Sequence, residues 1–215
     1  MARKLREYSF VTLKLEDLDG QIDFVEVFGR PGPVHIEIGT GKATFLLNQA
    51  RAQPHVNFLG IERANKYYRY AVDRIGRWAL FNVRIIRADA ATFLADFVPD
   101  SSVDCFHIYF PDPWPKRRHH KRRFFTSANL QHLIRCLKSD GQLRIATDHL
   151  DYFEWIQSLI AAQRERPFGY AQGRLEEIEF PLPAGASNGE WTGTNYERKY
   201  LKDQRPIYII AVRKL

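Results

Sequence analysis

Cysteine is scarce in this sequence, and this scarcity limits the chemistry that the chain can support. Among 215 residues the only cysteines are Cys105 and Cys136, and each lies inside an apolar stretch. A disulfide framework or a thiolate zinc site would need more cysteines at shorter spacings. We therefore expect both cysteines to be reduced core residues.

Long apolar runs are also missing. Residues 1–10 are charged and lack the apolar stretch of a signal peptide, and no segment of the sequence is long and apolar enough to cross a bilayer. These absences predict a soluble, cytoplasmic protein with no membrane partner.

The residues that are present fit one basic globular domain. Apolar residues make up 45% and aromatic residues 13% of the chain, enough for a full core at a length that suits one domain better than two. The formal net charge is +7, from 32 Lys and Arg against 25 Asp and Glu. Because such a surface attracts polyanions, nucleic acid is the first partner to consider.

Short β-branched or aromatic runs alternate with segments of helical period, and this alternation predicts an α/β fold with a parallel sheet. Strands are predicted at Val34 to Ile38, Asn57 to Ile61, Val83 to Arg87, Val103 to Phe110, Gln142 to Thr147 and Ile207 to Val212. The clearest helical spacing is that of Leu130, Leu133, Ile134 and Leu137. Gly141 is expected to cap the helix that contains them.

Two segments do not share this alternation. Residues 1–30 are charged and weakly periodic, which predicts an arm that packs on the domain or becomes ordered with a partner. Residues 165–193 are rich in Pro and Gly, which is typical of a mobile functional loop. The remaining organisation is a single domain over residues 31–215.

A glycine-rich turn joins the first strand to the next helix. In Glu37-Ile38-Gly39-Thr40-Gly41-Lys42, the glycines permit a tight turn and close approach of a ligand to the backbone. Glu62 ends the second strand about 20 residues further on, where an acidic side chain would accept hydrogen bonds from ribose hydroxyls. The pattern predicts a nucleotide-like cofactor.

Two details argue against a dinucleotide. The third glycine of G-x-G-x-x-G is replaced by Thr44, and a pyrophosphate beside Glu37 would meet a carboxylate. S-adenosylmethionine instead carries a sulfonium and an ammonium, which an acidic residue attracts. Asp89, just past the third strand, could meet an adenine amino group. Taken singly, Glu62 and Asp89 are equally well explained as polar strand ends.

The loop after the fourth strand carries the strongest functional signal. Its sequence runs Phe110-Pro111-Asp112-Pro113-Trp114-Pro115, and three prolines hold the backbone at the sheet edge where α/β proteins bind ligands. Six of the eight residues from Lys116 to Arg123 are Lys or Arg, a density suited to a phosphate backbone. Alone, the run also fits a solvated loop. His119 and His120 are adjacent and lack ligand spacing, so no metal is predicted.

Together these motifs resemble the TrmB-type tRNA (guanine-N7)-methyltransferases. The resemblance covers Val34 to the C-terminus and also includes Gly60-Ile61-Glu62, Asp89-Ala90, Thr147-Asp148 and Thr194-Asn195-Tyr196-Glu197-Arg198-Lys199. It implies a class I S-adenosylmethionine-dependent methyltransferase fold, Rossmann-like, with a mostly parallel seven-stranded sheet, helices on both faces and a late antiparallel strand. One departure is Ala43, where many relatives have glycine. We expect little effect, because the position is predicted inside the start of the helix.

The resemblance also implies roles for individual residues. Cofactor contacts fall to the loop glycines Gly39 and Gly41 and to the acidic residues Glu37, Glu62, Asp89 and Asp112. Substrate contacts fall to Lys116, Asp148, Thr194, Asn195, Tyr196 and Glu197, and the basic run adds RNA contacts from Arg117, Arg118, Lys121, Arg122 and Arg123. The implied partner is tRNA and not DNA, methylated at the variable-loop guanine 46. A monomer or a homodimer is expected.

Guanine N7 has an in-plane lone pair and no proton, so methylation there needs no general base. Catalysis should rest on positioning and electrostatics, with Asp112 as the catalytic residue that stabilises the charged purine. Thr194 and Glu197 also have the spacing of a helix capping box, and Trp114 fits either base stacking or ordinary packing. Two alternative functions are a non-catalytic RNA-binding subunit and a Rossmann oxidoreductase.

Overall fold

The computed structural model describes residues 4–164, 174–187 and 189–215, and it is organised around one sheet. Its strands are β1 (Thr12–Leu13), β2 (Val34–Ile38), β3 (Asn57–Ile61), β4 (Val83–Ile86), β5 (Val103–Tyr109), β6 (Leu137–Thr147), β7 (Leu175–Ile178) and β8 (Tyr208–Lys214). They lie in the order β1-β4-β3-β2-β5-β6-β8-β7. Residues 165–173 and 188 of the predicted 165–193 loop are outside the described residues.

Most neighbouring strands are parallel, and β8 is antiparallel to both β6 and β7. The α/β class and the late antiparallel strand are therefore confirmed. The sheet has eight strands where seven were expected. The two that the sequence did not locate are β1, which is only two residues long, and β7, whose middle residues are charged.

Helices cover both faces of the sheet. They are α1 (Phe24–Phe28), α2 (Thr44–Ala52), α3 (Asn65–Arg77), α4 (Ala90–Asp96), α5 (Ser127–Cys136), α6 (Leu150–Arg164) and α7 (Asn195–Lys202). Buried side chains of α2 and α3 form one apolar cluster with the sheet, and those of α1, α4, α5 and α6 form the other. No helix in the described ranges is long and apolar enough to span a membrane.

Residues 4–30 of the predicted arm lie against the domain. Thr12 and Leu13 pair with Ile85 and Ile86 of β4. Tyr8 packs on α3 at Gly76, where a Cβ would lie 2.1 Å from the Tyr8 ring, so only glycine leaves room for this contact. Of the two behaviours predicted for the arm, the described part shows packing.

Two local predictions were wrong. Gly141 does not cap α5, because that helix ends at Cys136 and β6 begins at the next residue; Gly141 lies within β6, where a Cβ would come within 2.9 Å of the Lys138 carbonyl oxygen. Ala43 lies at the N-cap of α2, not inside the helix, and its φ of 53° is left-handed. That conformation favours glycine and explains why a glycine suits this position.

Candidate functional site

A cleft of about 810 Å³ opens at the carboxyl ends of β2 to β5. Parallel strands present their carboxyl ends at one edge, so residues distant in sequence meet there. Predicted site residues that follow four separate strands line the cleft, and α7 adds one more. They are Gly39, Gly41, Glu62, Asp89, Asp112, Arg122 and Arg123, with Tyr196 from α7. A smaller cavity of about 220 Å³ adjoins it and is lined by Glu37, Thr194 and Asn195, among others.

The glycine turn has the open backbone that its sequence predicts. Gly39 and Gly41 have φ of 81° and 55°, a region that side chains other than glycine rarely adopt. The Gly39 amide donates to the Ile61 carbonyl at 2.9 Å, which ties the turn to the end of β3. No described heavy atom lies within 4 Å of a Cβ placed on Gly39, so its surface is free for a ligand.

The Glu62 side chain stabilises this turn through hydrogen bonds to backbone amides. One carboxylate oxygen accepts from the Gly41 amide at 2.8 Å and the other from the Ala64 amide at 2.7 Å. A carboxylate has about four acceptor positions, so two hydrogen bonds leave capacity for ligand hydroxyls. Glu62 therefore shapes the turn and faces the cleft at once.

Glu37 is the most unusual group in the site. It is only 4% exposed, and its Oε2 atom has no hydrogen-bond partner among the described residues. Burial, and secondarily the nearby Glu62 charge, raises the pKa of the Glu37 carboxyl well above its ordinary value. A buried acceptor without a partner is costly, and a cationic ligand in the adjoining cavity would satisfy it.

Asp89 begins α4. Its Oδ1 accepts from the Ala91 and Thr92 amides at 3.1 and 3.3 Å, and its Oδ2 lies 3.6 Å from the Arg63 guanidinium. The side chain thus has a capping role, which matches the simpler explanation for a polar strand end. It also lines the cleft, so the capping contacts do not remove it from ligand reach.

The loop after β5 is held in an uncommon conformation. Phe110 and Trp114 have φ of 53° and 44°, on either side of the exposed Asp112. Left-handed backbone at non-glycine residues is costly and concentrates at functional sites. The Arg122 guanidinium lies 4.9 Å from the centre of the Trp114 ring, and both groups line the cleft.

The basic run divides into exposed and buried members. Lys116, Arg117, Arg118, Lys121 and Arg122 are exposed. Arg123 is only 5% exposed; it donates to the Pro113 carbonyl at 2.9 Å and forms an ion pair with Asp151. Its contacts fix the 110–115 loop, so the structure does not present Arg123 to a phosphate as the sequence predicted.

The C-terminal motif closes the other side of the site. Thr194 caps α7, its hydroxyl accepting from the Glu197 amide at 3.1 Å. The fully buried Glu197 carboxylate accepts from the amides of Trp191, Thr192 and Gly193. The Thr194 contact is that of a helix cap. The Glu197 carboxylate, however, accepts from more backbone amides than the acidic residue of a capping box does.

Three predicted substrate residues lie outside the cavity walls, namely the buried Glu197 and two others. Lys116 is exposed beside the 110–115 loop, and Asp148 is half-buried, 3.7 Å from the Arg205 guanidinium. Neither is among the described residues that line the two cavities. Burial is the main cause that raises the pKa of Tyr200, and the Asp148 charge is the second. The Tyr200 ring lies 5.3 Å from the Phe110 ring.

The structure adds residues that the motifs did not indicate. Tyr67 on α3 and Tyr109 at the end of β5 line both cavities. Lys199, which belongs to the C-terminal motif but was given no role, lines the smaller cavity. Burial raises the pKa of Tyr109 well above its ordinary value. Tyr109 immediately precedes the Phe110–Pro115 motif, and that position is the one sequence signal that could have identified it.

The comparisons with known sequences identify methyltransferases. A family model described as a putative methyltransferase matches residues 31–210. Proteins named tRNA (guanine-N(7)-)-methyltransferase are similar along most of the chain. The one from Rhodopirellula baltica is 34% identical over 93% of this chain and 72% of its own length, and the one from Streptococcus pneumoniae is 29% identical over 96% and 93%.

Solved structures support the same fold. The 16S rRNA methyltransferase KamB has a TM-score of 0.60 at 15% identity, covering 89% of this chain and 91% of that structure. A SAM-dependent methyltransferase from Aquifex aeolicus has a TM-score of 0.55 at 12% identity, covering 89% and 87%. At such identities the likeness confirms the methyltransferase fold. With the family match and the similar sequences, it places this chain in the TrmB-type tRNA (guanine-N(7)-)-methyltransferase family.

Proposed function

We propose that this chain transfers a methyl group from S-adenosylmethionine to N7 of the variable-loop guanine, position 46, of tRNA. The observation that carries the proposal is the buried Glu37 carboxyl, whose Oε2 atom has no partner among the described residues, beside a glycine turn in a site that continues into the Asp112 loop. Family membership supplies the reaction class, and position 46 rests on the motif resemblance.

The residues of the two cavities fit S-adenosylmethionine. Glu37 would accept hydrogen bonds from its ammonium, Glu62 from its ribose hydroxyls, and the turn at Gly39 and Gly41 leaves room for close contact. Asp89 stands at the next strand end for the adenine. When bound, the cofactor supplies an electrophilic methyl group on a positively charged sulfur.

Asp112 has the main electrostatic role in the proposal. Its carboxylate lies in the cleft wall and would accept hydrogen bonds from the N1 and N2 edge of the guanine. The purine gains positive charge as N7 is methylated, so a fixed carboxylate stabilises the transition state more than the ground state. Because N7 carries no proton, none of the described residues needs to act as a general base.

Aromatic side chains would hold the guanine. A stacked base does not present N7 to a cofactor, and unstacking costs on the order of a few kcal/mol. Trp114 and Tyr196 both line the cleft, and Tyr196 is 52% exposed, so their rings are available to replace the lost stacking. Arg117, Arg118, Lys121 and Arg122 would contact tRNA phosphates from the exposed segment beside the cleft.

The test is to incubate the chain with bulk tRNA and methyl-labelled cofactor, digest the tRNA and analyse its nucleosides by mass. We expect the label in 7-methylguanosine. Tight binding of tRNA and cofactor without methyl transfer would instead identify a non-catalytic RNA-binding subunit. Binding of NAD in place of S-adenosylmethionine would identify an oxidoreductase. An Asp112→Asn variant analysed in parallel controls for contaminating methyltransferases.

A further inference from the structure

A second group of chemically active side chains lies on β2 and β5 and contacts the wall of the candidate site at Tyr109. His35 of β2 is in register with Cys105 of β5, and His107 follows two residues later. Side chains alternate between faces along a strand, so Cys105, His107 and Tyr109 share one face with His35. Four residues separate Cys105 from Tyr109, which is roughly 13 Å along the strand.

The spacing of the three polar atoms suits a tetrahedral metal ion. One ligand atom each from His35, Cys105 and His107 lies within 4.8 Å of the others. His35 Nδ1 and His107 Nε2 are 3.1 Å apart. Bond lengths of 2.0–2.1 Å to zinc at tetrahedral angles would place two such nitrogens about 3.3 Å apart and a nitrogen and a sulfur about 3.6 Å apart. Small side-chain shifts would therefore complete the arrangement.

A neighbouring hydroxyl orients one of the imidazoles. The Tyr109 hydroxyl lies 2.9 Å from His107 Nδ1, the ring nitrogen that does not face His35. An imidazole that binds a metal through one nitrogen commonly donates from the other, which fixes its tautomer and direction.

A cavity of about 200 Å³ gives solvent access to the cluster. It is lined by His35, Cys105, Gly141 and Arg144, among others. A small ion can enter through it, and a water molecule there can supply a fourth ligand. Arg144 adds a positive charge, but its guanidinium donates to Gln142 Oε1 at 2.7 and 3.0 Å. Burial outweighs this charge and raises the pKa of Cys105 to about 12, so the group is a thiol until a metal ion displaces its proton.

We propose that His35, Cys105 and His107 bind one thiophilic divalent cation, of which Zn²⁺ is the representative, with a cavity water as the fourth ligand. Binding forms a metal–sulfur bond and releases the thiol proton to solvent. The sequence alone predicted no metal site, because its ligands come from two strands that pair only in the fold. The three proposed ligands are not among the residues proposed for methylation, although Tyr109, which bonds to His107, lines both cavities of that site.

The test is metal titration of the whole chain, kept reduced with a phosphine that does not chelate metals. We expect one equivalent of Zn²⁺ by calorimetry and, with Co²⁺, a thiolate-to-metal charge-transfer band. Cys105→Ser should abolish the band and weaken Zn²⁺ affinity at least about 100-fold. Loss of a residue that only supports a metal ligand already weakens metal affinity by up to about 100-fold, and Cys105 is itself a proposed ligand. Cys136→Ser is the matched control, because Cys136 is also a free, buried cysteine but packs on α4.

Further variants keep the result interpretable if Cys105→Ser does not fold. His35→Ala changes a half-buried ligand at the cavity wall and should also lose the Zn²⁺ affinity, whereas His132→Asn on α5 should retain it. Zn²⁺ should raise the Tm of the wild type, Cys136→Ser and His132→Asn, but not that of Cys105→Ser or His35→Ala. The proposal is overturned if the wild type binds no Zn²⁺ saturably, if its Co²⁺ spectrum lacks the thiolate band, or if His35→Ala binds like the wild type.

Discussion

Replacement of Glu37 by glutamine should have opposite effects on the free protein and on cofactor binding. Glu37 is buried beside Glu62, and its Oε2 has no partner among the described residues. Glutamine keeps the shape of the side chain and removes its charge. The free protein therefore no longer has to bury a carboxylate, while the cofactor loses the acceptor for its ammonium.

The sign of the stability effect follows from the direction of the pKa shift. Since burial raises the pKa of Glu37 above its ordinary value of 4.5, the folded protein binds more protons than the unfolded chain above that pH. The stabilising contribution is thus complete below pH 4.5 and is lost as pH rises through the raised pKa. The loss is at most about 1.4 kcal/mol for each pH unit in that window.

Denaturant unfolding from pH 4.5 upward measures this contribution in the absence of cofactor. The wild type and Glu154→Gln, which changes an exposed glutamate on α6, should lose stability across the window. Glu37→Gln should lose less and be more stable than the wild type at its upper end. A Glu37→Gln curve parallel to that of the wild type would refute the burial of an unpartnered carboxyl.

Calorimetric titration with S-adenosylmethionine measures the other half of the prediction. A hydrogen bond to a charged group contributes about 1.5–3 kcal/mol, so Glu37→Gln should bind roughly 10- to 150-fold more weakly where the wild-type carboxylate is ionised. Equal affinities for the wild type and Glu37→Gln would remove Glu37 from the cofactor site.

Three further predictions concern the loop, the charge and the sheet. Arg122→Gln should lower the slope of log tRNA affinity against log salt by about 0.7–0.9. Replacement of the buried Arg123 by glutamine should leave that slope unchanged and cost about 1–3 kcal/mol of unfolding free energy. Equal slopes in the two variants would contradict the division of the basic run into exposed and buried members. Asp112→Asn should greatly reduce the single-turnover rate at unchanged tRNA affinity, and the wild-type rate should stay flat from about pH 6 to 8. A wild-type rate that rises steeply over this pH range, with the rise abolished in Asp112→Asn, would indicate that Asp112 acts as a general base. Gly60→Ala places a Cβ 2.6 Å from Thr40 Oγ1 and should cost about 1–3 kcal/mol by urea unfolding, and an unchanged midpoint would contradict this packing.

The sequence predicted the sheet best where strands are buried on both faces. β2 and β3 have the predicted bounds, because β-branched or aromatic residues recur along both strands and nearly all of their residues are buried. β6 begins five residues before the predicted strand, and its first residues are mostly polar. Leu137 pairs with Val103 of β5, and the register shifts before Gln142 pairs with Cys105, an irregularity that the sequence pattern does not reveal. The sequence did not reveal β1 because it is only two residues long, or β7 because its middle residues are charged. Each is recognised as a strand only by its pairing, β1 with β4 and β7 with β8.

The site was predictable to the extent that it depends on strand ends. Glu62, Asp89 and Asp112 were expected at one edge of a parallel sheet, and all three line one cleft. The inward direction of Arg123 could not be read from a basic run, because its partner Asp151 is 28 residues away. Glu197 likewise gains its backbone partners from the fold of the preceding loop.

The most direct test of the proposed reaction is to compare two tRNAs that differ in one atom. One carries guanine at position 46 and the other carries 7-deazaguanine, in which N7 is replaced by C–H and no lone pair remains. The proposal predicts equal binding of both tRNAs, with methyl transfer to the guanine tRNA and none to the deaza analogue. Methyl incorporation into both tRNAs at similar rates would show that N7 of this guanine is not the acceptor.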